Sequence, residues 1–245
     1  MKKMFAWTIA VALLVSVAAL PGYGQTAQDV LKKMIQVQGG AKYLESIKDS
    51  TISGNLEVNA MGQALTGTVT IYKKEPNKYR MDAEVMGMTI TQAYDGQIAW
   101  GTNVMTGQVE ESPEAQAKSL ARQAMGVASL LDPAKFGIVY SLKPKAKLDN
   151  KEYLVLEQKT ADGHLTTLYV DPDTYLTYKI ETMALGPTGA ELKTESYPGD
   201  YKKIGPGMVA HSIRVLQDGV ETTKITFEKV VFNTNLEDSF FAMSK

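Results

Sequence analysis

The sequence of 245 residues contains no cysteine and only two histidines. The missing cysteine excludes a disulfide framework, a thiolate zinc site, an iron–sulfur cluster, a cysteine nucleophile and a lipid-modified cysteine. Acidic and basic side chains are nearly balanced, 27 against 26, so the basic excess typical of a nucleic-acid binder is also missing. With 44% hydrophobic and 22% charged residues, the composition is that of an ordinary globular protein.

Long hydrophobic runs are missing except at the N-terminus. Residues 1–24 combine two early lysines, Lys2 and Lys3, with an uncharged apolar run over residues 5–20 and a small-residue end. This pattern predicts a secretory signal peptide that is cleaved before Gln25. The alternative is a membrane anchor, but the run is shorter than the roughly 20 residues of a spanning helix. We therefore expect a single domain over residues 25–245, exported to the periplasm and without a stable membrane anchor.

Hydrophobic alternation with a period of two dominates the sequence after residue 49. Residues 79–85 show it most clearly, because apolar side chains occupy the odd positions and charged ones the even positions. Such segments, separated by turns rich in Gly, Pro, Asn and Asp, predict about eleven antiparallel strands. Two short helices are predicted before residue 49, and a longer one begins after Ser112 and ends at Asp132. The fold class is therefore mainly β, with a curled sheet and a few helices on one face.

Motifs for catalysis or cofactor binding are missing from the sequence. It contains no GxSxG, HExxH or GxxxxGK[ST] segment. His164 follows a turn and His211 lies in a predicted strand, so we interpret both as structural. Asp171 and Asp173 share a turn, but a calcium site would need further oxygen ligands. We therefore predict no catalytic residue, no metal and no cofactor. The alternative is a hydrolase, which would require one of the histidines beside a Ser or Thr and a carboxylate.

Three segments carry a resemblance to a known family: residues 93–100 (AYDGQIAW), 168–176 (LYVDPDTYL) and 232–241. Together with the order of signal, short helix, strands, mid-chain helix and further strands, they resemble the bacterial lipoprotein-carrier superfamily, the LolA/LolB-like outer-membrane lipoprotein-sorting proteins. The resemblance implies an incomplete antiparallel β-barrel, or half-barrel, whose concave apolar face is lidded by helices and holds acyl chains. Since the family's receptors are anchored through a cysteine, it implies the soluble periplasmic carrier type here. The implied partners are lipid or lipoprotein acyl chains, an inner-membrane release protein and an outer-membrane acceptor protein.

Alternation selects the side chains that such a half-barrel would turn toward its cargo. We predict an apolar cavity lined by Ile52, Leu56, Val58, Leu65, Val69, Ile71, Met81, Val85, Met88, Ile90, Trp100, Leu168, Val170, Leu176, Ile180, Ile213, Ile225 and Phe227. We predict a lid formed by Leu120, Ala124, Met125 and Leu131. Ten of the 12 methionines follow residue 24, and their flexible side chains suit an adaptable apolar surface. The alternative function is a non-catalytic accessory or sensor domain that binds a protein segment, by strand addition at a long uncovered edge.

Overall fold

The computed structural model describes residues 24–60, 62–186 and 189–243. The predicted signal peptide, apart from its last residue, lies outside the described residues. Within them, the chain forms four α-helices: α1 (Ala27–Val37), α2 (Ala41–Ser46), α3 (Glu114–Ala124) and α4 (Val127–Leu131). The strands of the described part are β1 (Asp49–Ala60), β2 (Gln63–Lys74), β3 (Lys78–Val85), β4 (Met88–Tyr94), β5 (Ala99–Thr102), β6 (Val109–Glu111), β7 (Val139–Leu148), β8 (Lys151–Lys159), β9 (Leu165–Val170), β10 (Thr177–Leu185), β11 (Glu191–Gly199), β12 (Lys202–Ile204), β13 (Gly207–Val209), β14 (Ser212–Gln217) and β15 (Val220–Phe232).

Thirteen of these strands form one antiparallel sheet in the order β6-β5-β4-β3-β2-β1-β15-β14-β11-β10-β9-β8-β7, and β12 and β13 form a separate hairpin. The sheet is not closed into a barrel, since β6 and β7 end it on opposite sides. The predicted half-barrel is confirmed, although eleven strands are too few. Strand β7 escapes prediction because its sequence, VYSLKPKAKL, is rich in lysine and interrupted by Pro144.

The helices cover the concave face of the sheet. Helix α1 buries Val30 and Met34 against Leu156 and Val170 of strands β8 and β9. Helix α3 contacts β3, β4 and β5 on one side and β10 on the other. Because five strands separate β3 from β10 in the sheet order, α3 bridges the concave side of the half-barrel. This arrangement confirms helices that lid an apolar concave face.

The ends of α1 follow the signals in the sequence. The hydroxyl of Thr26 accepts a hydrogen bond from the backbone N–H of Asp29, and the Asp29 carboxylate accepts one from the backbone N–H of Thr26. This reciprocal pair is a capping box, which satisfies two N–H groups at the helix start. Gly39 and Gly40 follow the helix with positive φ angles of 109° and 85°, which glycine adopts readily.

The single long helix expected between residues 113 and 131 is wrong, because the chain breaks into α3 and α4. Gly126 is extended at the break and precedes the first residue of α4. There the Glu75 carboxylate accepts hydrogen bonds from the backbone N–H groups of Val127 and Ala128, at 2.7 and 3.1 Å. A carboxylate at a helix N-terminus satisfies free N–H groups and complements the helix dipole. A distant side chain therefore starts a new helix where the local pattern predicts continuation.

Trp100 lies on the convex face, which corrects its predicted place in the cavity. It is paired with Ala93, and Ala93 is paired with Arg80, so all three side chains lie opposite the apolar face. After the turn between β4 and β5, the side chain of Ala99 lies on the concave face, because Ala99 is paired with Tyr94. Trp100 is 3% exposed and its indole N–H donates to the carbonyl of Phe241 over 2.8 Å. The tryptophan thus anchors the C-terminal segment to the outside of the sheet.

Candidate functional site

Cross-strand pairing sorts the predicted cavity residues by face, because directly opposed residues of an antiparallel pair point to the same side. Ile52 opposes Ile71, for example, and Ile71 opposes Met81. By this criterion, the pairing places sixteen of the predicted residues on the concave face: Ile52, Leu56, Val58, Leu65, Val69, Ile71, Met81, Val85, Met88, Ile90, Leu168, Val170, Ile180, Ile213, Ile225 and Phe227. Leu176 lies in the loop that precedes β10.

An apolar patch, called the apolar wall below, occupies the concave face of strands β1, β2, β3 and β15. Its nine members are Leu56, Val58, Leu65, Val69, Ile71, Met81, Ala83, Val85 and Ile225. Leu56, Val69, Ala83 and Val85 are buried, whereas the other five are half-buried. The helix contacts fall mainly on β3 to β5, β7, β10 and β13. Ile71 and Met81 also pack against the cluster that contains Leu120 and Ala124 of α3, so the half-exposed part of the wall lies beyond that helix.

A cavity of about 330 Å³ lies between helices α2 and α4 and strands β10, β11 and β13. Side chains from α2, α4, β10, β11, β13 and the end of β15 line it, with the neighbouring loops: Gln38, Tyr43, Leu44, Ile47, Val127, Tyr175, Leu176, Thr177, Ile180, Pro198, Tyr201, Met208, Val209, Ala210 and Phe232. Ligand pockets in proteins usually span about 300–1,000 Å³ and are mostly apolar. Its volume lies at the lower end of that range, and most of its lining side chains are apolar.

Several cavity residues lie outside the set of cavity residues predicted from the alternation. Tyr43 follows α1 in a short helix, and Met208 and Tyr201 belong to the hairpin of β12 and β13 and its approach. The cavity residues were predicted from strands assigned to one sheet, whereas β12 and β13 form a separate hairpin. The Gly205-Pro206-Gly207 turn marks the position of that hairpin in the sequence.

A continuous row of cross-strand neighbours joins the cavity to the apolar wall. The row starts at Pro198, which lines the cavity and opposes Ile213. From there the pairing runs across four further strands, through Ile225, Leu56, Gly67 and Val85. At Gly67 the strands approach closely, because a Cβ atom there would collide with the backbone carbonyl of Glu84. The concave face thus offers one connected apolar surface.

Some predicted residues already have intramolecular partners. Leu168 and Val170 pack beneath α1, so the helix occupies the surface that they would offer to a ligand. Leu120 and Ala124 of α3 are each 1% exposed and pack on Tyr79 and Ala99 of the sheet. The remaining lid candidates lie at helix ends and are half-buried: Met125 at the C-terminal cap of α3 and Leu131 at the end of α4.

An ion pair ties the bridging helix α3 to the turn between β8 and β9. Arg122 Nη1 lies 2.6 Å from Asp162 Oδ2, with side-chain exposures of 22% and 37%. The hydrogen bond from the Thr160 hydroxyl lowers the pKa of Asp162, and the hydrogen bond and charge of Arg122 lower it further. The aspartate is therefore charged at neutral pH. We call this pair the latch, because it closes α3 across the concave side.

The histidines do not complete a catalytic triad in the described part of the chain. His164 Nε2 lies 2.7 Å from the Thr182 hydroxyl, but the nearby Asp162 carboxylate is bonded to Arg122 and Thr160. Burial lowers the pKa of His164, and the charge of Arg122 lowers it further. His211 is buried, and its Nδ1 lies 2.9 Å from the carbonyl of Val209, a contact that holds the chain before β14.

The aspartate pair considered for calcium contacts a lysine instead. Lys151 Nζ lies 2.7 Å from Asp171 Oδ2 and 3.0 Å from Asp173 Oδ2. Asp171 Oδ1 accepts hydrogen bonds from the backbone N–H groups of Asp173 and Thr174. These contacts make the pair part of a turn. Among the described residues, no group of three or more His, Asp or Glu side chains could hold a metal ion.

Solved structures with a similar architecture are known. No protein-family profile and no curated protein matches the sequence. A LolA superfamily protein from Nitrosomonas europaea matches with a TM-score of 0.61 and 15% identity, over 89% of this chain and 98% of that one. A domain from Vibrio parahaemolyticus assigned to the outer membrane lipoprotein-sorting proteins matches with a TM-score of 0.57 and 16% identity, over 88% and 97%. A DUF1329 family protein from Desulfovibrio piger matches with a TM-score of 0.59 and 15% identity, over 88% and 97%.

At these identities, the similarity shows the fold, which is the LolA-type half-barrel that the sequence resemblance predicts. None of the helices in the described part has the length and apolarity needed to cross a bilayer.

Proposed function

We propose that this protein is a non-catalytic carrier that binds the acyl chains of lipoproteins or other lipids on its concave face. The observation that supports the proposal most strongly is the connected apolar surface of wall and cavity. Its members Val58, Leu65 and Ile225 are half-buried apolar side chains on the concave side of the sheet. An uncharged chain binds such a surface without any catalytic group.

The hydrophobic effect supplies enough free energy for this task. Burying one methylene group contributes about 0.8 kcal/mol, so ten methylenes would contribute at most roughly 8 kcal/mol before the loss of ligand freedom is subtracted. An acyl chain longer than this would fill the cavity and extend beyond it. The rest would lie along the row from Ile213 to Leu56 and reach the apolar wall.

We propose the periplasm as the site of action and transport toward the outer membrane as the task. The predicted signal peptide supports export, and the fold similarity to a lipoprotein-sorting domain supports this class of cargo. An inner-membrane release protein and an outer-membrane acceptor protein remain the partners expected from the resemblance.

Binding of a fluorescent fatty acid to the exported, purified protein tests the proposal. Leu56 and Val69 are too buried for this test, because a glutamate there would oppose folding itself. Val58→Glu and Leu65→Glu are better variants, since both side chains are half-buried members of the wall. We expect each to weaken binding by at least about tenfold, because the ligand would have to desolvate a carboxylate.

Two controls match these variants. Asn59→Glu adds the same charge one residue farther along β1, where the side chain is exposed on the convex face. Glu84→Lys changes an exposed convex residue of β3. Both should bind like the wild type. Failure of the wild-type protein to take up fatty acid, or equal losses in all four variants, would contradict the proposal.

A further inference from the structure

Exposed apolar side chains gather at one end of the half-barrel. The sheet order places six hairpin turns along this end, and most of the exposed apolar side chains lie on four neighbouring ones: β5–β6, β3–β4, β1–β2 and β14–β15. The exposed residues there are Met86, Met88, Val104, Met105, Val109 and Val220, and we call this set the apolar rim. Met105 is 90% exposed and Met86 is 72% exposed. Burial of apolar side chains is favourable, and a group of exposed ones on a protein surface commonly marks an interaction site.

Three of the four turns of the apolar rim carry no charge, whereas the β14–β15 turn contains Asp218 and is followed by Glu221. Segments 59–64, 85–89 and 101–109 contain no Asp, Glu, Lys or Arg, whereas the chain average of 22% would give about four. The opposite end of the same strands is highly charged. There Lys74 and Lys78 pair with Asp238, and Glu75 and Asp95 occupy the turns. The two ends of strands β1 to β6 therefore differ in polarity.

The apolar rim is continuous with the apolar wall. The pair Val58–Leu65 lies close to the β1–β2 turn, and Val85–Met88 is the last pair before the β3–β4 turn. Three of these four side chains belong to the wall, while Met88 belongs to the rim. A chain that leaves the concave face past the β1–β2 and β3–β4 turns would meet the uncharged side chains of segments 59–64 and 85–89.

We propose that the apolar rim rests in the interface of a lipid bilayer and presents the open end of the concave face to the membrane. Single apolar side chains on several separate turns insert between headgroups without needing a shaped partner. A protein–protein interface usually combines one packed apolar core with a polar surround, whereas these side chains are spread over separate turns. The uncharged turns favour a surface attachment that depends on apolar insertion, with little electrostatic attraction. The role in cargo transfer rests on the proposed function, but membrane attachment does not.

Flotation with neutral phosphatidylcholine vesicles tests the attachment, using protein purified after export. The wild type should float with the vesicles and should still do so at about 1 M salt, where the Debye length is about 3 Å. Met86→Glu combined with Met105→Glu should reduce vesicle binding by at least about tenfold, because two charges would enter the interface. Ile98→Glu is the matched control, since Ile98 is 42% exposed in the turn at the opposite end. It should float like the wild type.

A fluorescent reporter keeps the test independent of any misfolding. Trp100 is buried, and the only other tryptophan lies in the predicted signal peptide, so Met105→Trp adds one exposed indole. Its emission should shift to the blue on addition of vesicles, and vesicle binding should not weaken.

The proposal is overturned if the wild type does not float, if the double glutamate variant floats equally well, or if the new indole stays in water. Concentration-dependent self-association that the double variant abolishes, without vesicle binding, would overturn it in favour of a contact between copies. The fatty-acid assay without vesicles separates the two proposals, because the double variant should retain wild-type uptake there. Vesicle binding without fatty-acid uptake would refute the carrier and leave the attachment standing.

Discussion

The latch between Arg122 and Asp162 should slow the release of a bound acyl chain. Helix α3 bridges the concave side, and this pair fixes it to the β8–β9 turn with an Nη1–Oδ2 distance of 2.6 Å. Asp162→Asn removes the charge but keeps an Oδ1 atom that can accept the hydrogen bond from the Thr160 hydroxyl. The turn should therefore keep its conformation while the latch weakens.

The size of the effect follows from the exposure of the pair. Asp162 is 37% exposed, so water and salt screen the interaction, and partly exposed pairs are worth about 0.5–1 kcal/mol. Loss of that free energy in the closed state corresponds to a release rate about two- to fivefold faster. Screening at about 1 M salt should bring the wild type close to the variant. Stopped-flow displacement of a fluorescent fatty acid at pH 7 measures the rates.

Two further variants test whether the loss of the latch causes the faster release of the ligand. Arg122→Gln should release the ligand as fast as Asp162→Asn, and the double variant should add little, because both changes remove one interaction. Glu114→Gln breaks the Glu114–Lys118 pair, which lies within α3 alone and should leave the rate unchanged. Equal acceleration by Glu114→Gln and Asp162→Asn, or additive effects of the latch variants, would refute the reasoning.

Three other predictions concern the whole chain. Phe241→Ala should lower the free energy of unfolding by about 3–5 kcal/mol in urea titration, because Phe241 is fully buried beside Trp100. Burial would raise the pKa of Asp49, but hydrogen bonds from Thr234 and the next two backbone N–H groups outweigh burial and lower it. This stabilisation is present above the usual pKa of 3.8 and is lost as the pH falls through the lowered value. In the Asp49→Asn variant, the melting temperature should therefore fall less steeply than in the wild type as the pH is lowered. Mass spectrometry of exported protein should find Gln25 at the N-terminus.

The faces of the strands could be predicted wherever a strand continued without interruption. In β3, strict alternation from Tyr79 to Val85 gives the concave residues correctly, because the side-chain period of a strand is fixed. The prediction failed for Trp100, which follows a turn of four residues. Tyr94 opposes Ala99 there, so the concave position moves by one residue. The periodicity within one strand does not predict which residues of the next strand lie on the same face.

Features that depend on distant contacts could not be predicted. The break between α3 and α4 depends on Glu75, which lies 52 residues before the N–H group of Val127 that it caps. The cavity depends on Met208 of a hairpin outside the main sheet, and on the position of Tyr43 in α2. Each of these is a tertiary contact between residues that no local pattern connects.

An open half-barrel needs protected edges, and this requirement bears on the alternative of a domain that binds a protein segment by strand addition. One edge strand, β6, is only three residues long. The other, β7, carries Lys143, Lys145 and Lys147 around Pro144, and its pairing with β8 shifts register there. Lysines, a proline and an irregular register are devices that block the addition of another strand. The edges thus lack the long regular ladder that such binding requires, whereas the concave apolar surface stays open, which favours a lipid as the occupant of this fold.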